Sequence, residues 1–283
     1  MKSTIQIMKK NIEINKSEII AQLNTFEDDI VFLSGSLVEE MVNPLAKGMG
    51  NRLSDIDCYV MTDSLKDVEI KASDFEYNNI KRKIELIKKT TLDVKVYSKF
   101  VIQDYVEQIN KLDFNINQRA ANWLKVNNNS ISIWEINSFI HRILNSIPIQ
   151  NEIEYNQIKA NISTDNFMRY NLLMSTNEVD TYFDDVIGNL EVCEHEVAML
   201  VAHEMLIVAM RAYLFNSRES VDRNKWVPVK LKNLSKKNGE AEAIYNSFTR
   251  LLFASRGLSA DEQKSNIEEI IKFVNNVLNL FEG

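Results

Sequence analysis

The sequence predicts an α+β protein in two parts, short strands mixed with helices over residues 1–135 and an all-helical domain over 136–283. Three observations carry that expectation. "IVFLS" (30–34) and "IDCYVMT" (56–62) are apolar runs of strand length. "TTLDVKVYS" (90–98) alternates Leu92, Val94 and Val96 with Asp93, Lys95 and Tyr97, the period of a strand with one buried face. From Ile136 onward that period gives way to apolar-periodic segments at 136–145, 153–160, 165–187, 191–216, 239–254 and 261–281, each of ordinary helix length.

The connecting elements follow in order. Residues 16–27 read as a helix leading into the first strand, and the charged stretch 74–88 as a helix leading into the third. "SIPIQNEIEY" around Pro148 reads as a turn, and Ser163, Thr164 and Asp165 as a helix cap. Residues 216–239, with Pro228, read as a polar connector. "VAMLVAHEMLIVAMRAYLF" (197–215) approaches membrane-span length, but His203, Glu204 and Arg211 would be costly in lipid, so a buried central helix is expected. Lys9, Lys10 and Glu13 interrupt the N-terminal segment before an apolar core of signal length develops, so it is not expected to act as a secretory signal.

Composition narrows the function classes. With 45% hydrophobic and 26% charged residues the chain has the balance of a globular protein. A formal net charge of −7 disfavours gripping long nucleic acid by its backbone, which needs a basic face. Cys58 and Cys193 have no metal-ligand spacing, and a reduced, cytoplasmic protein without membrane attachment is expected.

Three of the seven glycines, Gly35, Gly48 and Gly50, fall with Pro44 in one short stretch. Gly35-Ser36 directly follows a strand, where glycine permits a tight turn whose backbone N–H groups suit phosphate. The Ser36 hydroxyl adds a donor. Asp55 and Asp57, two apart, point to one side of a strand, and Asp93 is the lone acid of another. If those strands are neighbours, three carboxylates converge and repel unless a cation sits among them. Mg²⁺, as one ion or two, prefers such oxygen ligands together with phosphates. A phosphate turn beside metal-holding acids amounts to a nucleoside triphosphate site.

"SGS" (34–36), "SDID" (54–57) and "LDVKV" (92–96), in this order and strand context, resemble the nucleotidyltransferase superfamily related to DNA polymerase β. With a helical second domain the chain is particularly similar to bacterial antibiotic nucleotidyltransferases acting on aminoglycosides and lincosamides. The resemblance implies a small mixed-sheet nucleotidyltransferase domain, 1–135, and a helical bundle, 136–283, contributing to the acceptor cleft. It implies Gly35 as the turn residue, Ser36 on the triphosphate, and Asp55 and Asp57 as metal ligands. Asp93 would complete the metal site or assist deprotonation of the acceptor hydroxyl. The reaction implied is transfer of a nucleoside monophosphate, AMP from ATP, to a small-molecule hydroxyl with release of pyrophosphate. Nucleotidylation of a protein or a tRNA end, synthesis of a signalling nucleotide, and a silent nucleotide-binding module are the alternatives. A homodimer is compatible with the sequence. The interval from Gly35 to Asp55 is longer than is usual in the family, and "EMVNPLAKG" reads as an insertion.

Remaining candidates are less patterned. Lys95 shares the face of Asp93 and is either a phosphate contact or a solvated strand lysine. In "RNKWVPVKLKNL" (223–234), Lys225 either faces the nucleotide or belongs to a connector that Trp226 anchors. His195, Glu196, His203 and Glu204 repeat at a spacing of eight, not the four that places two histidines on one helical turn, which argues against zinc. The resemblance leaves Glu196 or Glu204 as a candidate general base. Arg52, Asp63 and Asp74 read as surface residues.

Overall fold

The computed structural model describes residues 4–71, 74–77, 80–114, 124, 131–253 and 259–281. They form two compact units, Met1–Ser163 and Thr164–Gly283.

The first unit opens with a hairpin of β1 (Thr4–Ile7) and β2 (Ile12–Asn15), an antiparallel pair separate from the main sheet. α1 (Lys16–Leu23) starts in a capping box, where the Asn15 side chain accepts from Ser17 N and Glu18 accepts from Asn15 N. It stops at Asn24, which adopts the left-handed conformation. β3 (Ile30–Ser34), α2 (Ser36–Val42) and β4 (Ile56–Thr62) follow, then β5 (Phe75–Tyr77), β6 (Ile80–Ile87) and β7 (Thr90–Ser98). α3 (Lys99–Asn110), α4 (Ile133–Leu144), β8 (Ile147–Gln150) and α5 (Glu152–Asn161) complete the unit. Among the described residues the main sheet has the order β5-β6-β7-β4-β3-β8. β4 and β7 run parallel and every other pair is antiparallel, so the sheet is mixed.

β3, β4 and β7 lie where the apolar runs place them. The stretch 74–88 does not form the expected helix; its described part is β5 and β6, while residues 78–79 lie outside the described residues. The reason is an inverted polarity. Lys81, Lys83 and Glu85 are buried on the inner face of β6, whereas Ile84 and Leu86 are exposed. Partners make this tolerable: Lys81 donates to the carbonyls of Lys66 and Val68, and Glu85 accepts from Lys71 and Gln22. Burial lowers the pKa of Lys83. Lys88 and Lys89, both at positive φ, close β6 onto β7 in a two-residue loop, the backbone sign of a type I′ turn.

The segment around Pro148 is likewise a strand rather than a turn. β8 lies at the sheet edge and pairs with β3, with Pro148 opposite Phe32 beside a register shift. An edge position tolerates proline because one side of the strand makes no ladder bonds. Because β8 completes the sheet, α4, β8 and α5 belong to the first compact unit, and the division falls at Ser163/Thr164 rather than at 135/136.

The two faces of the sheet are covered differently. Val31, Leu33, Ile56, Cys58, Val60, Leu92, Val94 and Val96 pack against α1, α2 and the hairpin. On the other face Phe32, Tyr59 and Tyr97 meet Phe139 of α4 and Tyr155 of α5, with the Phe32 and Tyr59 rings stacked at 5.3 Å and Tyr97 to Phe139 at 4.7 Å. α4 starts at Ser132, whose Oγ accepts from Glu135 N at 3.2 Å. Ser132→Ala is expected to destabilise the first unit by about 1 kcal/mol in urea unfolding, the usual cost of a lost N-cap.

Among its described residues the second unit is helical: α6 (Thr164–Glu191), α7 (His195–Asn216), α8 (Val227–Ser235), α9 (Gly239–Phe253) and α10 (Ala260–Leu278). Residue 254 of the expected 239–254 segment lies outside the described residues. The 216–239 connector contains α8, with Pro228 in its first turn, where a missing N–H costs nothing. α7 is long and apolar enough to cross a membrane by length and composition. Its burial is that of a core helix, with Ala202, Met205, Leu206, Val208, Ala209 and Met210 fully enclosed.

Candidate active site

The parallel register of β4 and β7 sets Asp57 directly beside Asp93, and the antiparallel register of β3 sets Ser34 beside Asp57. Ser34, Asp57 and Asp93 therefore form one row across three adjacent strands, each about 4.8 Å from the next. Asp55 immediately precedes β4 and is exposed. Of the three acids expected to converge, the sheet aligns Asp57 with Asp93.

Gly35 meets this row at the end of β3. Its φ of +88° and ψ of 175° belong to a region that side-chain-bearing residues avoid. A Cβ placed there would lie 1.8 Å from Asp57 Oδ2. The glycine thus makes room for the carboxylate, and its carbonyl accepts from Val38 N and Glu39 N to begin α2.

The expected insertion is folded. α2 runs through Glu40 and Met41, a 3-10 turn covers Pro44–Ala46, and Gly48 and Gly50 turn the chain back at positive φ. Gly50 comes so close to α2 that a Cβ on it would lie 3.0 Å from both Ser36 Oγ and Leu37 Cδ2. Lys9, just beyond β1, donates to the carbonyls of Met49 (2.6 Å) and Gly50 (3.1 Å) and pairs with Glu40 at 2.8 Å. The N-terminal hairpin pins the returning loop beside Ser36.

α4 supplies polar groups that sequence reasoning missed. Glu135 Oε1 accepts from Lys95 at 2.7 Å and from Tyr97 OH at 2.5 Å. Burial, then the Glu135 charge, raises the pKa of Tyr97 and keeps its hydroxyl protonated. Arg142 Nη1, buried, lies 3.9 Å from Asp57 Oδ2. Ser34 Oγ lies 3.0 Å from the carbonyls of Arg142 and Asn145, at the end of α4 where helix carbonyls need partners. His141 Nε2 meets Glu39 of α2 at 3.1 Å, both buried, and Asn43 donates to Asn145 at 3.3 Å. The turn-bearing helix and the carboxylate row are thereby tied to one element. Glu135 and Arg142, seven apart, share a helix face, the one signal by which they could have been found.

Arg82 of β6 is the second omission. It grips Asp93 with two bonds, Nε to Oδ1 at 2.9 Å and Nη2 to Oδ2 at 2.7 Å. The Asp93 bond is the largest influence raising the Arg82 pKa, and Asp57 and Glu135 add to it through space. Misreading β6 as a helix hid this arginine from the sheet.

Asp55, Asp57 and Asp93 are hard oxygen donors of the kind Mg²⁺ takes, and two of them share a row. Their carboxylates do not converge: among the described residues no group of three His, Cys, Asp or Glu side chains is placed to hold a metal ion. Asp93 is turned to Arg82 instead.

The remaining candidates are each engaged locally or exposed. Lys95 is held by Glu135 rather than solvated. Lys225 belongs to the second unit, its ammonium 4.9 Å from the centroid of the Trp226 ring. Glu196 and Glu204 are exposed on α7, and Glu204 contributes to the raised pKa of Tyr182, after burial and Glu178. Asp63 pairs with Lys99 at 3.3 Å, Asp74 accepts from Lys71 N at 2.6 Å, and Arg52 is exposed with its carbonyl bonded to Lys10.

No protein-family model matches the chain, and no curated protein sequence matches it. The chain is similar to the crystal structure of a nucleotidyltransferase-like protein from Exiguobacterium sibiricum, with a TM-score of 0.46 and 12% identity, over 93% of this chain and 73% of that one.

Proposed function

We propose that the first unit binds a nucleoside triphosphate, ATP as the first candidate, and transfers its nucleoside monophosphate to the hydroxyl of a small molecule. The acceptor oxygen attacks the α-phosphorus, the bond to the β-phosphate oxygen breaks, and pyrophosphate leaves. The observation that carries this reading is the interlock of Gly35 with Asp57: a bare backbone turn at a strand end, with a carboxylate seated in the space a side chain would fill. Such a turn can bring phosphate against backbone N–H groups and the Ser36 hydroxyl. Asp93, in register with Asp57, is the group proposed to take the acceptor proton. Asp55 and Asp57, with Asp93 once released from Arg82, would hold Mg²⁺, which when bound supplies positive charge against the triphosphate. The net charge of −7 favours a cationic acceptor such as an aminoglycoside. A silent nucleotide-binding module is the second reading, favoured by the engagement of Asp93 with Arg82.

The test is incubation with each labelled triphosphate and Mg²⁺ against aminoglycosides, lincosamides, tRNA and cell lysate, with products read by mass spectrometry. A nucleotidylated small molecule is expected, with pyrophosphate release abolished by Asp57→Ala. Release that survives Asp57→Ala overturns the assignment. A product found only on a macromolecule moves the acceptor to protein or RNA. Triphosphate binding without any turnover assigns the silent module.

A further inference from the structure

We propose that Arg82 is an exchangeable counter-cation: it neutralises Asp93 in the free protein and moves to the phosphates when a nucleoside triphosphate enters. The inference rests on the nucleotide reading and names a positioning and phosphate-binding residue that the sequence pattern does not contain. Four observations carry it. The pairing is bidentate, and a guanidinium matches a phosphate as well as a carboxylate, so one partner can replace the other without loss of geometry. The two side chains are unequally exposed, 51% for Arg82 and 14% for Asp93, so the arginine reaches the row from the solvent side and can swing away without opening the core. Arg82 also lies within the electrostatic reach of Asp57 and Glu135. A triphosphate approaching this acidic row needs a cation that can come forward to meet it. Lys95, the neighbouring cation on β7, is held by Glu135 with both side chains less than one-fifth exposed, which leaves Arg82 as the more mobile of the two.

The exchange also accounts for the failure of the carboxylates to converge. While Arg82 holds both oxygens of Asp93, a divalent ion must compete with a resident cation for that ligand. Transfer of the guanidinium to phosphate frees the carboxylate at the moment nucleotide is present. Metal and nucleotide are then expected to bind cooperatively, because each favours the arrangement that the other needs.

The experiment separates the two halves of the exchange. Mn²⁺ binding without nucleotide is followed by electron paramagnetic resonance, and ATP binding in EDTA by calorimetry, for the full chain and for Arg82→Ala, Arg82→Gln and Arg82→Lys. Circular dichroism and thermal melts confirm that each variant is folded. Arg82→Ala and Arg82→Gln are expected to bind Mn²⁺ about tenfold more tightly and metal-free ATP about tenfold more weakly, with Arg82→Lys between them and the full chain. Unchanged affinity for both ligands overturns the proposal and makes the pair a static surface bridge. Weaker Mn²⁺ binding in Arg82→Ala also overturns it, since the arginine would then be supporting the metal site. If the full chain binds no triphosphate at all, the functional reading fails and the phosphate half of the exchange with it. The Mn²⁺ arm still decides whether Arg82 and a metal compete for Asp93.

Discussion

Gly35→Ala is expected to abolish pyrophosphate release and to destabilise the first unit by about 1–3 kcal/mol from backbone strain alone, because its φ and ψ lie in a region essentially confined to glycine. The methyl group adds a second penalty. At 1.8 Å from Asp57 Oδ2 it cannot be accommodated unless the carboxylate leaves the row or the turn opens. Either movement separates the Gly35 turn from the carboxylate seated against it. Gly188→Ala is the control, because Gly188 lies inside α6 with open space where a Cβ would go. There alanine is expected to stabilise by about 0.5–1 kcal/mol, the ordinary gain of replacing glycine in a helix interior. Urea unfolding and a pyrophosphate assay on both variants read the contrast. Retention of turnover in Gly35→Ala would show that Asp57 can act from another position.

The second large effect is expected in the helical unit. Lys230 of α8 has no exposed surface; its Nζ donates to Glu219 Oε1 and to the carbonyl of Ser220, both at 2.5 Å. Lys230→Met keeps the length and apolar stem of the side chain but removes the cation facing a buried carboxylate. A cost of about 3–5 kcal/mol is expected, as for other buried pairs broken on one side. The double variant Lys230→Met/Glu219→Leu is expected to recover most of that loss, because the desolvated charge is then gone. Unfolding of the two variants in parallel tests this. Equal instability of single and double variants would mean that the lysine matters through packing rather than charge.

How far the fold was legible depends on which residues face inward. β3, β4 and β7 bury Val31, Cys58 and Val94 among apolar neighbours, so runs and alternation in the sequence mark them directly. β6 buries Lys81, Lys83 and Glu85 instead, with partners for Lys81 and Glu85 drawn from α1 and from the chain ahead of β5. No local pattern announces a strand whose polar face is the inner one. β8 was hidden by its proline and α8 by its lysines, of which Lys230 is the most deeply buried. The candidate site divides along the same line. Gly35, Asp57 and Asp93 could be read because glycine turns and strand acids are local signals. Arg82, Glu135 and Arg142 reach them only through the β6–β7 register and the lie of α4 on the sheet, contacts that sequence spacing does not encode.

The parallel pairing of β4 with β7 has a consequence for how the protein comes into being. The β6–β7 hairpin closes over two residues and can form early, because little chain entropy is lost in bringing its strands together. Pairing Asp57 with Asp93 instead requires the intervening chain, hairpin included, to return alongside β4, and β8 must come back from still farther to reach β3. Such distant pairings are the slow part of assembly. The carboxylate row therefore rests on pairings distant in sequence, and a partly folded chain that holds only the β6–β7 hairpin lacks it.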